Sequence, residues 1–353
     1  MEFIKPGINL NIIGKRYIAF AFSAILMLVS IGSLIIHRGP NYGIDFAGGT
    51  IVQIKCEKPV TIENIKVGLA ELGLEGSAVQ QFGEKDDNEF LVHTNQTLIT
   101  DKGFSEQIKT SVETATGAGI EIRRIEMVGP QVGKDLQEKA LFALFYTLLF
   151  ITIYISGRFE LKWMLSAVMA LALIGAVYFF TIFEVSIPFL IAVALVVTLI
   201  LFWQLRLKYA MGAVVALLHD VTITIGIFSI LNIEFTLPII AALLTIIGYS
   251  LNDTIIVYDR IRENLKRYNR LPIDEIINKS INETLSRTIL TSLTTLVVLF
   301  CLFSFGGDII HDFSLAMIVG IIVGTYSSVY VASPILLMLQ DESVSGGVAG
   351  AAG

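Results

Sequence analysis

The residues best placed to do chemistry are charged side chains inside apolar runs. They are Asp220 beside His219, Asp253 in Gly248-Tyr249-Ser250-Leu251-Asn252-Asp253-Thr254, and Arg287 at the start of a later run. Placing an ionised group in hydrocarbon is unfavourable by at least ~2.5 kcal/mol, so such residues persist where they pair, relay protons or line a cavity. Asp220 lies about eleven residues into its run and, at ~1.5 Å per residue, sits near the bilayer centre, too deep to snorkel. Asp253 precedes the end of its run at a depth matching Arg287, so the two read either as a switchable pair across a helical hairpin or as interfacial helix ends. Small and hydroxyl residues gather beside them: Ser250, Asn252, Thr254, Thr288, Thr291, Ser292, Thr294 and Thr295. Such a stripe can be simple helix–helix glue. With an acid in it, it also suits a proton relay, because protonating a carboxylate changes the local charge and biases two helix packings.

These side chains need a membrane scaffold, and the composition supplies one. The 353 residues are 54% hydrophobic and 16% charged, with a mean hydropathy of +0.73, which excludes a single water-soluble core. Apolar runs at Tyr17–Ile36, Ala140–Ile155, Trp163–Phe183, Ile187–Trp203, Tyr209–Leu231, Leu237–Val257, Ile289–Phe305 and Phe313–Leu339 predict eight spans. The second and seventh are short for ~30 Å of hydrocarbon and need help from flanking residues. The first follows a polar start with Lys5, Lys15 and Arg16 and exceeds a signal-peptide core, so it reads as an anchor. Arg158, Lys162, Arg206, Lys208 and a basic stretch from Arg260 to Arg287 fall on the same side as those three, whereas the loops at Phe183–Ile187, Asn232–Thr236 and Gly306–Asp312 carry no Lys or Arg. This predicts both termini in the cytoplasm and residues 37–138 outside. The net charge of −6 disfavours nucleic acid. Cys56 and Cys301 cannot build a disulfide framework, a zinc site or an iron–sulfur site.

In the external segment, Gly49–Cys56 alternates as a strand, Thr61–Leu72 has helical spacing after an N-cap Thr61, and Ala78–Phe82 and Glu89–His93 read as strands. A helix over Asp101–Thr116 ending at Gly117, then a strand over Ile120–Val128, completes β-α-β-β-α-β, a ferredoxin-like α+β sandwich. His93 is single and no catalytic constellation is evident, so a binding or lever role is expected. Glycine-rich segments flank the domain, with Gly48 and Gly49 before it and Gly129, Pro130 and Gly133 after it. They act either as hinges or as plain turns.

Four stretches together resemble the SecF family, accessory membrane subunits of the bacterial Sec protein-export machinery related to proton-driven RND transporters. These are GIDFAGG (Gly43–Gly49), VGPQVG (Val128–Gly133), AVVALLHDVTITIGIFSIL (Ala213–Leu231) and AALLTIIGYSLNDTIIVYDRIREN (Ala241–Asn264). The resemblance implies an RND-like helical bundle in the inner membrane and a SecD partner. It also implies association with the SecYEG channel and with SecA and YajC, contact with a translocating precursor protein and membrane lipid, and no cofactor beyond protons as coupling ion. It assigns proton passage to Asp253 and Arg287. Asp220 is a further relay candidate, with His219, Asn252, Thr254, Thr291 and Ser292 as supporting polar residues.

The resemblance also implies six spans, two fewer than read here. Residues 163–208 add a hairpin that looks duplicated: matching Lys162 to Lys208 pairs Leu161 with Leu207, Ala167 with Ala213 and Ala170 with Ala216, and puts Leu173 and Ile174 opposite His219 and Asp220. The extra hairpin therefore lacks relay chemistry and is expected at the periphery. The expected organisation is an anchor (1–36), the external domain (37–138), a second span and loop (139–162), the hairpin (163–208), a four-helix core (209–340) and a flexible tail (341–353). Competing readings are a stand-alone RND-like exporter of small molecules or lipids, an intramembrane serine hydrolase using Ser250 and His219, and a scaffold indifferent to Asp253.

Overall fold

The computed structural model describes residues 9–74, 76–83, 87–94, 102–183, 185–268 and 270–348; Lys5, Glu184 and positions 349–353 lie outside them. Among the described residues, eight helices are long and apolar enough to cross a membrane. The first is α1 (Arg16–Ile36). A single-turn α2 (Ile44–Ala47) leads into β1 (Gly49–Cys56), α3 (Ile62–Ala70), β2 (Ala78–Phe82), β3 (Glu89–Thr94), α4 (Lys102–Thr116) and β4 (Ile120–Val128). The sheet order is β2-β3-β1-β4 with every pairing antiparallel, the topology expected for a ferredoxin-like sandwich. Alternation drives it: Val52, Ile54 and Cys56 point inward with Phe90 and Val92 onto Ile65, Leu69, Ile108 and Val112 of the two helices. The Thr61 hydroxyl caps α3 by accepting from Asn64 N (3.4 Å), and Gly117 ends α4 at φ +65°.

The membrane part continues as α5 (Pro130–Glu160), α6 (Trp163–Thr181), α7 (Ile187–Gln204), α8 (Lys208–Ile230), α9 (Leu237–Arg267), α10 (Ile273–Phe305) and α11 (Asp308–Ser327). A π turn over Ser328–Ala332 then joins α12 (Ser333–Val348). The short second and seventh runs are extended by flanking residues, one lying inside a helix of 31 residues and the other forming the C-terminal half of a helix of 33. Hydropathy sees only the length in hydrocarbon, while Pro130 starts one helix early and Asp274 and Glu275 suit the positive end of the other. The basic connection is likewise mostly helix, with only 268–272 between α9 and α10. Asn264 donates to Ser280 Oγ (3.0 Å) and Glu283 (2.8 Å), and Arg260 pairs with Glu283 (3.1 Å), zipping the two ends together. The last helix runs on to Val348, into the segment read as a tail.

Helix α1 packs along α8, and α11 along both α8 and α9. Close approach depends on small residues. A Cβ at Gly324 of α11 would sit 2.9 Å from Ser250 Cβ of α9, so glycine there lets these two backbones close on the centre of the bundle. The hairpin α6–α7 packs against α5 and α8. Its outer surface carries exposed Phe179, Phe180, Phe183, Val193 and Val196.

Candidate functional site

Asp220 and Asp253 sit on neighbouring helices, both out of solvent at 0% and 1% exposure, yet their surroundings differ. Asp220 Oδ2 accepts from the Ser250 hydroxyl of α9 (2.6 Å) and the Ser327 hydroxyl of α11 (2.8 Å). With its Nδ1 protonated, His219 donates to Asp220 Oδ1 (2.9 Å). One carboxylate on α8 thus ties three helices. Ser327 is held at that point because the chain changes to a π turn at the next residue. The turn exposes Ala332 O, which the fully buried Tyr258 hydroxyl meets at 3.1 Å. The His219 ring stacks on Tyr326 of α11 (6.2 Å between centroids), whose hydroxyl donates to Ala19 O of α1 (2.9 Å). His219 Nε2 has no partner among the described residues.

Asp253 lies one turn beyond Ser250 on α9. Neither of its carboxylate oxygens has a hydrogen-bond partner among the described residues. It faces Ser292 and feels the charge of Arg287, both on α10. Arg287 is exposed on α10, and no ion pair within 4.0 Å joins it to Asp253, so the two are neighbours without direct contact here. Ser292 is occupied with Thr325 Oγ1 of α11 (2.7 Å), and the buried Thr288 hydroxyl beside it has no partner. Isolated buried carboxylates are strongly unfavourable when ionised, so this pocket suits a group that changes protonation state.

The supporting residues divide. Thr254 is buried and donates to Ser250 O (3.2 Å), reinforcing the turn between the two acids. Thr291 returns its hydroxyl to Arg287 O (3.0 Å) and Thr288 O (2.9 Å) of its own helix. Asn252 points outward, exposed. Sequence reasoning passed over Ser327, Thr325 and the π turn. The one signal was the hydroxyl-rich Thr325-Tyr326-Ser327-Ser328 inside an apolar run. The hydrolase arrangement is not formed, since Ser250 donates to Asp220 and not to His219. Among the described residues, no three ligand side chains gather as a metal site.

The glycine segments meet each other. Gly48, at φ +74°, lies where a Cβ would be 2.9 Å from Pro130 Cα. At Gly133 a Cβ would be 2.8 Å from Phe46 O. Gly49 has φ +132°, Gly129 has open space around it at φ −66°, and Pro130 starts α5. Among thiols, Cys56 is buried in the external domain, and burial pushes its pKa up to about 11.

Comparison with known proteins fits this architecture. The model of the family described as protein export membrane protein SecD/SecF, C-terminal, matches residues 107–199 and 181–342. The SecD/SecF GG motif matches residues 33–60. Protein translocase subunit SecF of Magnetococcus marinus is 41% identical over 348 residues, covering 97% of this chain and 96% of the relative. The same subunit of Calditerrivibrio nitroreducens is 38% identical, covering 97% of each. A crystal structure of SecDF, a translocon-associated membrane protein, from Thermus thermophilus superposes with a TM-score of 0.73 at 33% identity. It is matched over 95% of this chain, which spans only 39% of that longer one. The chain is a multi-pass membrane protein and belongs to the SecD/SecF family of protein export membrane proteins, on its SecF side.

Proposed function

We propose that this chain works with SecD in the inner membrane, with both termini in the cytoplasm and residues 37–138 in the periplasm, and that the proton motive force drives its part in protein export. The observation that carries this reading is the Asp253 carboxylate, out of solvent with both oxygens unpartnered, one helical turn from the Ser250–Asp220 bond. Protonation and release at Asp253, with Arg287 as the nearby counter-charge, change the electrostatics between α9 and α10. Asp220 serves as the fixed point around which α8, α9 and α11 are arranged. Each charge crossing a membrane potential is worth ~2.3 kcal/mol per 100 mV, so a few protons are enough to move a helix or a domain. Association with SecD is favoured by the outer face of α9 and α10. There Arg287, Asn252 and Thr294 are exposed beside Leu293, Val297 and Val298, and polar groups at membrane depth are normally covered by protein or line a water-filled cavity.

The SecYEG channel, SecA and YajC are proposed as the larger assembly, with a translocating precursor protein as cargo and surrounding lipid as solvent. The chain itself is a translocation accessory that catalyses no covalent step and needs no cofactor beyond protons. The 163–208 hairpin, α6 and α7, is proposed to be a duplication added at the periphery, with α6 repeating the pattern of α8. Its support is the double family match, whose two segments overlap at 181–199. The test is export of a secreted precursor in cells whose only copy carries Asp253→Asn. Export at least tenfold lower, with normal abundance and normal SecD copurification, is expected. Undiminished export would remove Asp253 from the mechanism and leave a scaffold role.

A further inference from the structure

The segment Asn41–Gly49 does more than connect α1 to the external domain, because it is bound to the start of α9. Phe235 N donates to Asn41 O (2.6 Å) and Gly43 N donates to Phe235 O (3.0 Å), a short parallel strap between Tyr42 and Phe235. Asp45 Oδ2 then accepts from Leu237 N (2.9 Å), the first N–H of α9. A carboxylate at that end of a helix satisfies an otherwise unpaired donor and meets the positive end of the helix dipole. The Phe46 ring is buried with Phe228, Phe235 and Ile239, driving α2 into the same junction. Gly43 has no room for a side chain, since a Cβ would lie 2.9 Å from Thr236 Cγ2. On the other side of the strap, His93 Nδ1 of β3 lies 3.3 Å from Glu234 Oε1.

From this we infer that Asp45 is a positioning residue for the coupled reaction, and that α2 with residues 234–237 forms a rigid joint through which α9 moves the external domain. Helix α9 is continuous from this joint to Asp253, about 24 Å at ~1.5 Å per residue, and can act as a push rod. Beyond the joint, Gly49 opens β1, a central strand of the sheet, and His93 sits on its neighbour β3, paired opposite Ile51. The packing of Gly48 and Gly133 onto Pro130 and Phe46 fixes α5 to the same junction. In this account the glycines lock the two segments together, and motion arrives at the sheet as a rigid displacement.

The inference rests on the proton-driven reading of Asp253, and the experiment separates the two. Asp45→Ala is assayed for precursor export in cells and, as purified complex with SecD in proteoliposomes, for proton uptake. Export is expected to fall about tenfold while uptake persists, and Asp45→Asn, which keeps an acceptor oxygen, is expected to restore at least half of the export. Normal export from Asp45→Ala, or loss of uptake together with export, overturns the coupling role. In parallel, His93→Cys/Glu234→Cys in a Cys301→Ser background is bridged by a short cleavable bifunctional thiol reagent. Export at the unbridged rate is expected. Export stopped by the bridge and restored on cleavage shows a joint that must open, and overturns rigidity. Normal export from Asp253→Asn would overturn the proton-driven reading alone, while the bridged pair still reports on the joint.

Discussion

Asp220 and Asp253 are equally hidden from solvent, but one accepts three hydrogen bonds and the other accepts none among the described residues. Asp220 receives two hydroxyls and an imidazole from three helices. Asp253 has Arg287 and Ser292 nearby and no hydrogen bond. The difference teaches that burial of an acid in a membrane bundle has two uses. A fully satisfied carboxylate organises packing, and an unsatisfied one is free to change charge. Ser250 links them: it donates to the first and lies one turn from the second.

The comparison breaks most visibly if Asp220 is removed. Asp220→Ala leaves the buried Ser250 hydroxyl and His219 without their partner and Ser327 with only its own-helix bond to Gly324 O, and breaking a buried network in this way destabilises by about 3–5 kcal/mol. A markedly lower unfolding temperature and low abundance in the membrane are expected. Asp253→Asn in the same unfolding assay is expected to shift little, because it deletes no hydrogen bond. Equal destabilisation by the two changes would erase the distinction. Ser250→Ala sharpens it. Asp220 keeps Ser327 and His219, so the loss should be that of one hydrogen bond to a charged group, about 1.5–3 kcal/mol. The smallest effect concerns Cys56, whose raised pKa keeps the thiol protonated and unreactive at pH 7–8, below the value of about 11. Maleimide is expected to label Cys301, exposed on α10, and to reach Cys56 only after denaturation. Prompt labelling of Cys56 in the native protein would contradict its burial.

Much of this was legible in the residues, for identifiable reasons. Period-two alternation in Gly49–Cys56 marked β1, and the return after Gly117 marked β4 over Ile120–Val128, both at their observed bounds. Gly117, at positive φ, marked the end of α4. Charges inside apolar runs marked Asp220 and Asp253. Helix ends outside hydrocarbon were illegible because hydropathy falls there while helicity does not, as Pro130–Lys139 and Ile273–Thr288 demonstrate. The partners of Asp220 were illegible for a different reason. Ser250 and Ser327 lie far apart in the chain, and only the packing at Gly324 and the π turn after Ser327 bring their hydroxyls to one carboxylate. Asp45 was read as part of a family motif, and its bond to Leu237 N depends on a loop that sequence periodicity does not describe.

The most direct test of the division between the two aspartates is proton uptake. The complex with SecD would be reconstituted in proteoliposomes under an imposed membrane potential, and the wild type compared with Asp253→Asn at matched unfolding temperature. Loss of uptake in a variant that melts like the wild type is the predicted result. Uptake at the wild-type rate would contradict the assignment of the proton to Asp253.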